Sequence, residues 1–210
     1  MLTLLVHGLG RTPLSLFPLA ADLRRAGHHT RFLAYFPYLE SVPHIVARLA
    51  ARLRILARFD RPVGLIGHSL GGLLLRLAVA EVPTLRVGHL LMLGTPNQPP
   101  RLGARAGKWL PFRLLTGDCG RFLAAPARYA ALPVPTYPHT LIGGTAGPRG
   151  RLSPFGDEPN DGVVAVAEMR IRPGDRPELF PVWHTIMMHN PVLRRRIAAI
   201  ISGESSDARR

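Results

Sequence analysis

Cysteine, lysine and acidic residues are all scarce in this chain of 210 residues. With Cys119 as the lone cysteine, no internal disulfide can form, so the fold must rest on its apolar core. The segment around it, Gly117-Asp118-Cys119-Gly120, carries no pattern of a reactive thiol, and a buried or incidental side chain is expected. His and Asp are too few and too dispersed for a metal cluster, and no zinc-ligand spacing occurs. No metal and no cofactor is therefore expected.

Asp and Glu number 13 against 27 Lys and Arg, for a net charge of +14. Lys108 is the single lysine, so the other basic residues are arginines, and a ratio this extreme points to compositional bias rather than selection for phosphate binding. The arginines are scattered, with Arg194-Arg195-Arg196 the one run of three. There is no basic arm and no stacked-aromatic pattern of an RNA-binding sheet, which argues against a nucleic-acid partner. A basic face can still draw anionic lipid or an acidic substrate to the protein by long-range steering, giving peripheral contact with an anionic membrane. A solvated basic surface is the simpler reading.

Long apolar runs are also missing. None approaches the roughly 20 residues that a membrane-spanning helix needs. The opening Met1-Leu2-Thr3-Leu4-Leu5-Val6 has no basic flank ahead of it and leads straight into a motif, so no signal peptide is read and a cytoplasmic protein is expected.

What the chain does contain is 47% hydrophobic residues, ordinary for a globular protein, over a length that suits one domain, 1–210. Short apolar runs alternate with amphipathic helical patterns. Leu2-Thr3-Leu4-Leu5-Val6, stopped by His7-Gly8-Leu9-Gly10, reads as a fully buried strand. Residues 15–26 form an amphipathic helix, with Gly27 as its stop. A second strand is expected over 30–35. Ser41 can cap the next helix, which carries Pro43 in its first turn and runs to about residue 59.

Strands follow at 62–66, 87–93 and 139–143, with a helix over 70–82 between the first two. A short added strand is expected at Met169-Arg170-Ile171-Arg172 and a last one over 178–183, followed by a helix over 191–201 and a polar tail. The alternation implies an α/β fold: a mainly parallel sheet of about six strands with helices on both faces. Residues 98–135 interrupt it, rich in Pro, Gly and Arg with scattered large apolar side chains, and read as a small cap insertion.

The densest chemical signal is Gly67-His68-Ser69-Leu70-Gly71-Gly72, between the third strand and the helix behind it. A serine at the tip of so sharp a turn needs neighbours without bulky Cβ atoms, and Gly67 and Gly71 supply them. The helix start adds free N–H groups and positive potential beside Ser69. A serine needs a base, an acid to orient that base, and donors for an oxyanion.

His184 follows the last strand and is the expected base, with His189 as runner-up. His68 precedes the serine and is expected to point away from it. His28, His29 and His44 come too early for the chain order Ser, acid, His, while His89 and His139 start strands at the far end of the sheet. Asp161, before Gly162, is the expected acid, with Asp157 and Glu158 as nearby alternates. The backbone N–H groups of Leu9 and Leu70 are the expected oxyanion donors. Gly8 and Gly10 would let the first turn approach, and His7 would position that turn rather than transfer protons.

His7-Gly8-Leu9-Gly10, the Ser69 motif, Leu93-Gly94-Thr95-Pro96, Asn160-Asp161-Gly162-Val163-Val164 and Trp183-His184 together resemble the α/β-hydrolase fold serine esterases and lipases. The chain is most similar to the compact bacterial lipases and the related inositol-deacylase-like group, and the likeness covers nearly its whole length. The resemblance implies Ser69 as nucleophile, Asp161 as acid, His184 as base, the Leu9 and Leu70 amides as oxyanion hole, and a small-molecule or lipid ester as substrate. Against that pattern, the first two strands of the family are absent and the insertion is shorter than the lids of large lipases.

Three functions compete at this stage. The first is carboxylic-ester hydrolysis through an acyl-enzyme on Ser69. The second keeps the site but changes the acceptor or bond: acyl transfer, thioesterase, amidase or peroxide chemistry. The third is a binder using the basic surface, which predicts salt-sensitive binding that survives Ser69→Ala.

Overall fold

The computed structural model describes residues 1–204. Six strands form one all-parallel sheet in the order β2-β1-β3-β4-β5-β6: β1 Leu2–Val6, β2 His29–Leu33, β3 Val63–His68, β4 Val87–Leu93, β5 His139–Gly144 and β6 Glu178–Phe180. The strands sort their side chains by pleat. Leu4, Val6, Leu65, Leu90 and Met92 face one layer, where α2 (Val42–Ala57) and α3 (Leu70–Ala80) cover them. Leu5, Ile66, Leu91 and Leu93 face the other, against α1 (Phe17–Arg25) and α8 (Pro191–Ser202). Burial on both faces explains why these strands read as continuous apolar runs rather than alternating ones.

The helix limits follow from local chemistry. Ser41 Oγ accepts the His44 N–H at 3.4 Å to start α2, and Asn190 Oδ1 accepts the Leu193 N–H at 2.9 Å to start α8, with Pro in the first turn of both. The helix expected over 15–26 opens instead as a 3-10 turn, Pro13–Leu16, before α1.

Two expected elements differ. Met169-Arg170-Ile171-Arg172 adds no strand: α7 (Val166–Met169) ends on its first residue, and Asp175 then ties the backbone N–H groups of Ile171 and Arg172 into a turn. The last strand stops at Phe180, because Val182 N–H turns back to the Phe180 carbonyl at 2.8 Å. His184 therefore opens a 3-10 helix, His184–His189, four residues beyond the strand end.

The segment 98–135 contains three helices: α4 Arg101–Ala106, α5 Leu110–Leu123 and α6 Pro126–Ala130. Phe122, Leu123, Tyr129 and Leu132 sink from it into the α2–α3 layer. Both ends of the segment meet on Arg76 of α3, a buried guanidinium with no carboxylate partner among the described residues. Its Nε and Nη2 donate to the Pro133 carbonyl at 3.0 and 2.8 Å, and Nη1 donates to Asn97 Oδ1 at 2.7 Å. Burial lowers the pKa of Arg76 to about 10. Arg76→Met should leave these acceptors unsatisfied and cost about 3 kcal/mol, which urea denaturation would read as a lower midpoint at unchanged slope.

Cys119 is buried in the α2–α3 layer, where burial pushes its thiol up to about 12 and keeps it unreactive. Among the described residues no helix is long and apolar enough to cross a membrane.

Candidate active site

In this strand order the chain leaves β1 towards β2 and returns to the other side of β1 as β3. Ligands in open parallel sheets bind outside the carboxyl ends of the strands at such a reversal. The turn His7-Gly8-Leu9-Gly10 and the residue Ser69 stand on either side of it.

Ser69 is held with φ 52° and ψ −122°, a conformation that costs a non-glycine residue of the order of 1–3 kcal/mol. Its surroundings leave no alternative. The Ser69 N–H donates to the Leu93 carbonyl at 2.8 Å. A Cβ at Gly67 would lie 2.5 Å from Gly72 Cα, and one at Gly71 would fall on the carbonyl oxygen of Val6. The close approach of α3 to β1 and β3 thus requires those two glycines, as the sequence suggested. Leu70 begins α3, so its N–H lies among the first helical amides, which have no intrahelical partner.

Asp161 and His184 come together. His184 Nδ1 lies 2.7 Å from Asp161 Oδ2, and the backbone joins them again through His184 N–H to the Asp161 carbonyl at 2.8 Å. Asp161 is wholly buried, and its Oδ1 accepts the N–H groups of Val163 at 3.0 Å and Val164 at 2.7 Å. Its carboxylate is therefore fully committed, one oxygen to the loop and one to the imidazole. That arrangement places the His184 proton on Nδ1 and leaves Nε2 as a lone-pair acceptor.

Neither alternate acid does this. Asp157 is exposed, and Glu158 pairs with Arg101, which also holds Glu168. His189 ends the 3-10 helix and is exposed.

His7 is buried and neutral. Its ring stacks on Tyr35 with centroids 4.2 Å apart, its Nε2 accepts the Tyr35 N–H at 3.3 Å, and its Nδ1 lies 2.9 Å from the Gly8 carbonyl. The Tyr35 hydroxyl closes the clamp by donating to the His7 carbonyl at 2.9 Å. Burial holds the His7 pKa below the usual histidine range. The ring is engaged in shaping the turn that carries Leu9.

Sequence reasoning missed two contributors. The Nε2 of His68 lies 3.0 Å from the His184 carbonyl and its ring stands 4.8 Å from the His184 ring. It thereby ties the serine turn to the histidine backbone. Burial, then the neighbouring His184, drives the His68 pKa well below its ordinary value. Asn160, also wholly buried, accepts the Gly162 N–H at 2.9 Å and donates to the Pro148 carbonyl at 2.9 Å, fixing the loop that presents Asp161. An Asn two residues before a glycine is a turn signal that could have been read from the chain.

Acid should weaken the fold through these imidazoles. Below about pH 6.5 the unfolded chain takes up protons that His7 and His68 refuse while folded, so stability falls with pH, at up to about 1.4 kcal/mol per pH unit for each group. Above that pH their contribution is flat. Urea midpoints should drop between about pH 7 and pH 5, and His68→Gln should lessen the slope.

Ser69, His184 and Leu9 all line one cavity of ≈ 250 Å³, whose remaining wall is mostly apolar: Pro96 from the turn after β4, Leu102, Phe112 and Leu123 from residues 98–135, Val163 and Val164 from the Asp161 loop. Larger open grooves lie at the opposite end of the sheet around Leu2, His29 and Phe59, far from these residues. Among the described residues no group of three or more His, Cys, Asp or Glu could hold a metal ion.

A parallel sheet flanked by helices on both faces, with a strained serine at a strand-to-helix turn, defines an α/β-hydrolase fold. The chain belongs to the alpha/beta hydrolase family, whose model matches residues 3–204. No curated protein matches it. Among solved structures it is similar to the mature lipase BlEst2 of Bacillus licheniformis, at 22% identity and a TM-score of 0.67 over 95% of this chain and 91% of that one. It is also similar to the RedJ thioesterase of the prodiginine pathway in Streptomyces coelicolor, at 19% identity and 0.62 over 98% and 90%. The phospholipase PlaB of Legionella pneumophila matches at 17% identity and 0.63, covering 81% of this chain and 46% of that one.

Proposed function

We propose that this protein is a serine hydrolase of carboxylic esters acting through an acyl-enzyme on Ser69. The observation that carries the reading is the convergence on one cavity of Ser69 and of a His184 oriented by buried Asp161. As Ser69 Oγ attacks the ester carbonyl, its proton passes to His184 Nε2. Asp161 stabilises the resulting imidazolium, and the N–H groups of Leu9 and Leu70 receive the oxyanion. His184 then protonates the leaving alcohol, and water repeats the sequence to release the acid. Residues 98–135 are read as the cap, and the apolar side chains they contribute to the cavity wall support that reading.

The substrate is a small-molecule or lipid ester. The cavity is smaller than the roughly 300–1,000 Å³ that accommodates larger ligands, so short acyl chains should be preferred. A series of p-nitrophenyl esters of increasing chain length, with matched thioesters and amides, tests chemistry and pocket depth together. The expected result is turnover that peaks at short acyl chains, with a fluorophosphonate probe labelling Ser69. Failure of the folded protein to label or to cleave any member of the panel would refute the reading.

A further inference from the structure

Arg11 is out of place in the cavity it helps to line. The other lining side chains are apolar or carry only a hydroxyl or an imidazole, so Arg11 brings the one permanent charge. It lies two residues beyond Leu9, and its N–H folds back onto the Gly8 carbonyl at 3.3 Å, which roots it in the turn of the oxyanion donors. The side chain is half-buried. Arg48, Arg101, Arg194 and Arg196, buried to a similar degree, each hold a carboxylate, while Arg170, also half-buried and without one, lies outside the lining of this cavity. Arg11 has no carboxylate within 4 Å among the described residues.

An unpaired guanidinium beside an apolar cavity becomes more costly when substrate displaces the water around it. The charge also reaches the reacting end of the site, since it contributes to lowering the pKa of His68, which touches His184. An anionic group on the substrate removes that penalty, and the planar fork of Arg suits an oxyanion with two oxygens to offer. The surplus of basic residues would steer such a substrate towards the protein.

We propose that Arg11 forms an anion subsite, and that the substrate is an ester bearing a carboxylate or phosphate close to the scissile bond. This rests on the hydrolase reading, which supplies the ester. The carboxylate arm of the test compares 4-carboxyphenyl butanoate with neutral 4-carbamoylphenyl butanoate, in wild type, Arg11→Gln and Arg11→Lys. A short-chain lysophosphatidate beside its neutral monoacylglycerol forms the phosphate arm.

Wild type should favour the anionic member of at least one pair by about tenfold or more in kcat/KM, the value of one charged hydrogen-bonding pair. Arg11→Gln should erase that preference, chiefly through KM, and Arg11→Lys should keep part of it. An anionic-to-neutral ratio within twofold of wild type in Arg11→Gln, or a wild-type preference for neutral esters in both arms, overturns the proposal. Calorimetric binding of the same esters to Ser69→Ala separates the two readings. Arg11-dependent binding without wild-type turnover removes the hydrolase reading and keeps the subsite. Turnover without discrimination does the reverse.

Discussion

An Asp161→Asn protein is expected to fold normally and to lose about 10⁴-fold in kcat. The loop decides this outcome. Val163 and Val164 present two N–H groups to one oxygen of residue 161, so the asparagine carbonyl must take that position. Its NH2 group then faces His184 Nδ1, where the carboxylate oxygen now lies at 2.7 Å. A donor at that point forces the imidazole proton onto Nε2. The ring keeps its place but can no longer accept from Ser69. Fluorophosphonate labelling should slow in proportion to kcat, with the thermal midpoint little changed. Retention of activity within about tenfold would show that His184 does not need this partner.

Gly71→Ala is expected to damage stability and chemistry together. The new methyl group would collide with the carbonyl oxygen of Val6 and stand 2.7 Å from that of His7. Both obstacles are backbone of the interior strand β1 or its turn and cannot swing aside. Helix α3 must retreat from β1, which should cost about 3 kcal/mol by overpacking. The same retreat separates Leu70 from the Leu9 turn. A misplacement of about 1 Å at a reacting site can cost 100-fold in rate, so kcat should fall at least that far in whatever fraction stays folded. Gly174→Ala is the control, because a Cβ there meets nothing within 4 Å. Urea denaturation and ester turnover on both variants decide the matter; a stable, active Gly71→Ala protein would contradict this account of the turn.

The parts of the molecule legible in the chain share a cause. β1, β3 and the second half of β4 are buried on both sides, and burial of that kind writes itself as a mostly apolar run with a glycine near its end. The serine turn is equally plain, because its geometry tolerates few residues at 67, 71 and 72. Asp161 and His184 were found by chain order, and they prove to be hydrogen-bonded.

What escaped depends on contacts between distant segments. Nothing local says that Met169 ends a helix rather than joining a strand; α7 is fixed by the Glu168 side chain reaching back to the Ala165 N–H and out to Arg101. The helices of 98–135 were hidden by their Pro and Gly content, and one glycine, Gly117, does break the helical backbone of α5 with φ 54°. His68 was read only as the neighbour of a serine, since its partner is 116 residues away.

That separation has a consequence for biosynthesis. Chains emerge from the ribosome amino end first, and domains close as units. Ser69, Leu9 and the helix behind the serine can be assembled early, but the imidazole that would activate the serine comes near the end of the sheet-forming sequence. On the proposed mechanism the hydroxyl would stay an ordinary alcohol throughout elongation. Reactivity towards esters would begin only once His184 has docked, so a chain arrested before that point would carry the serine motif without that chemistry.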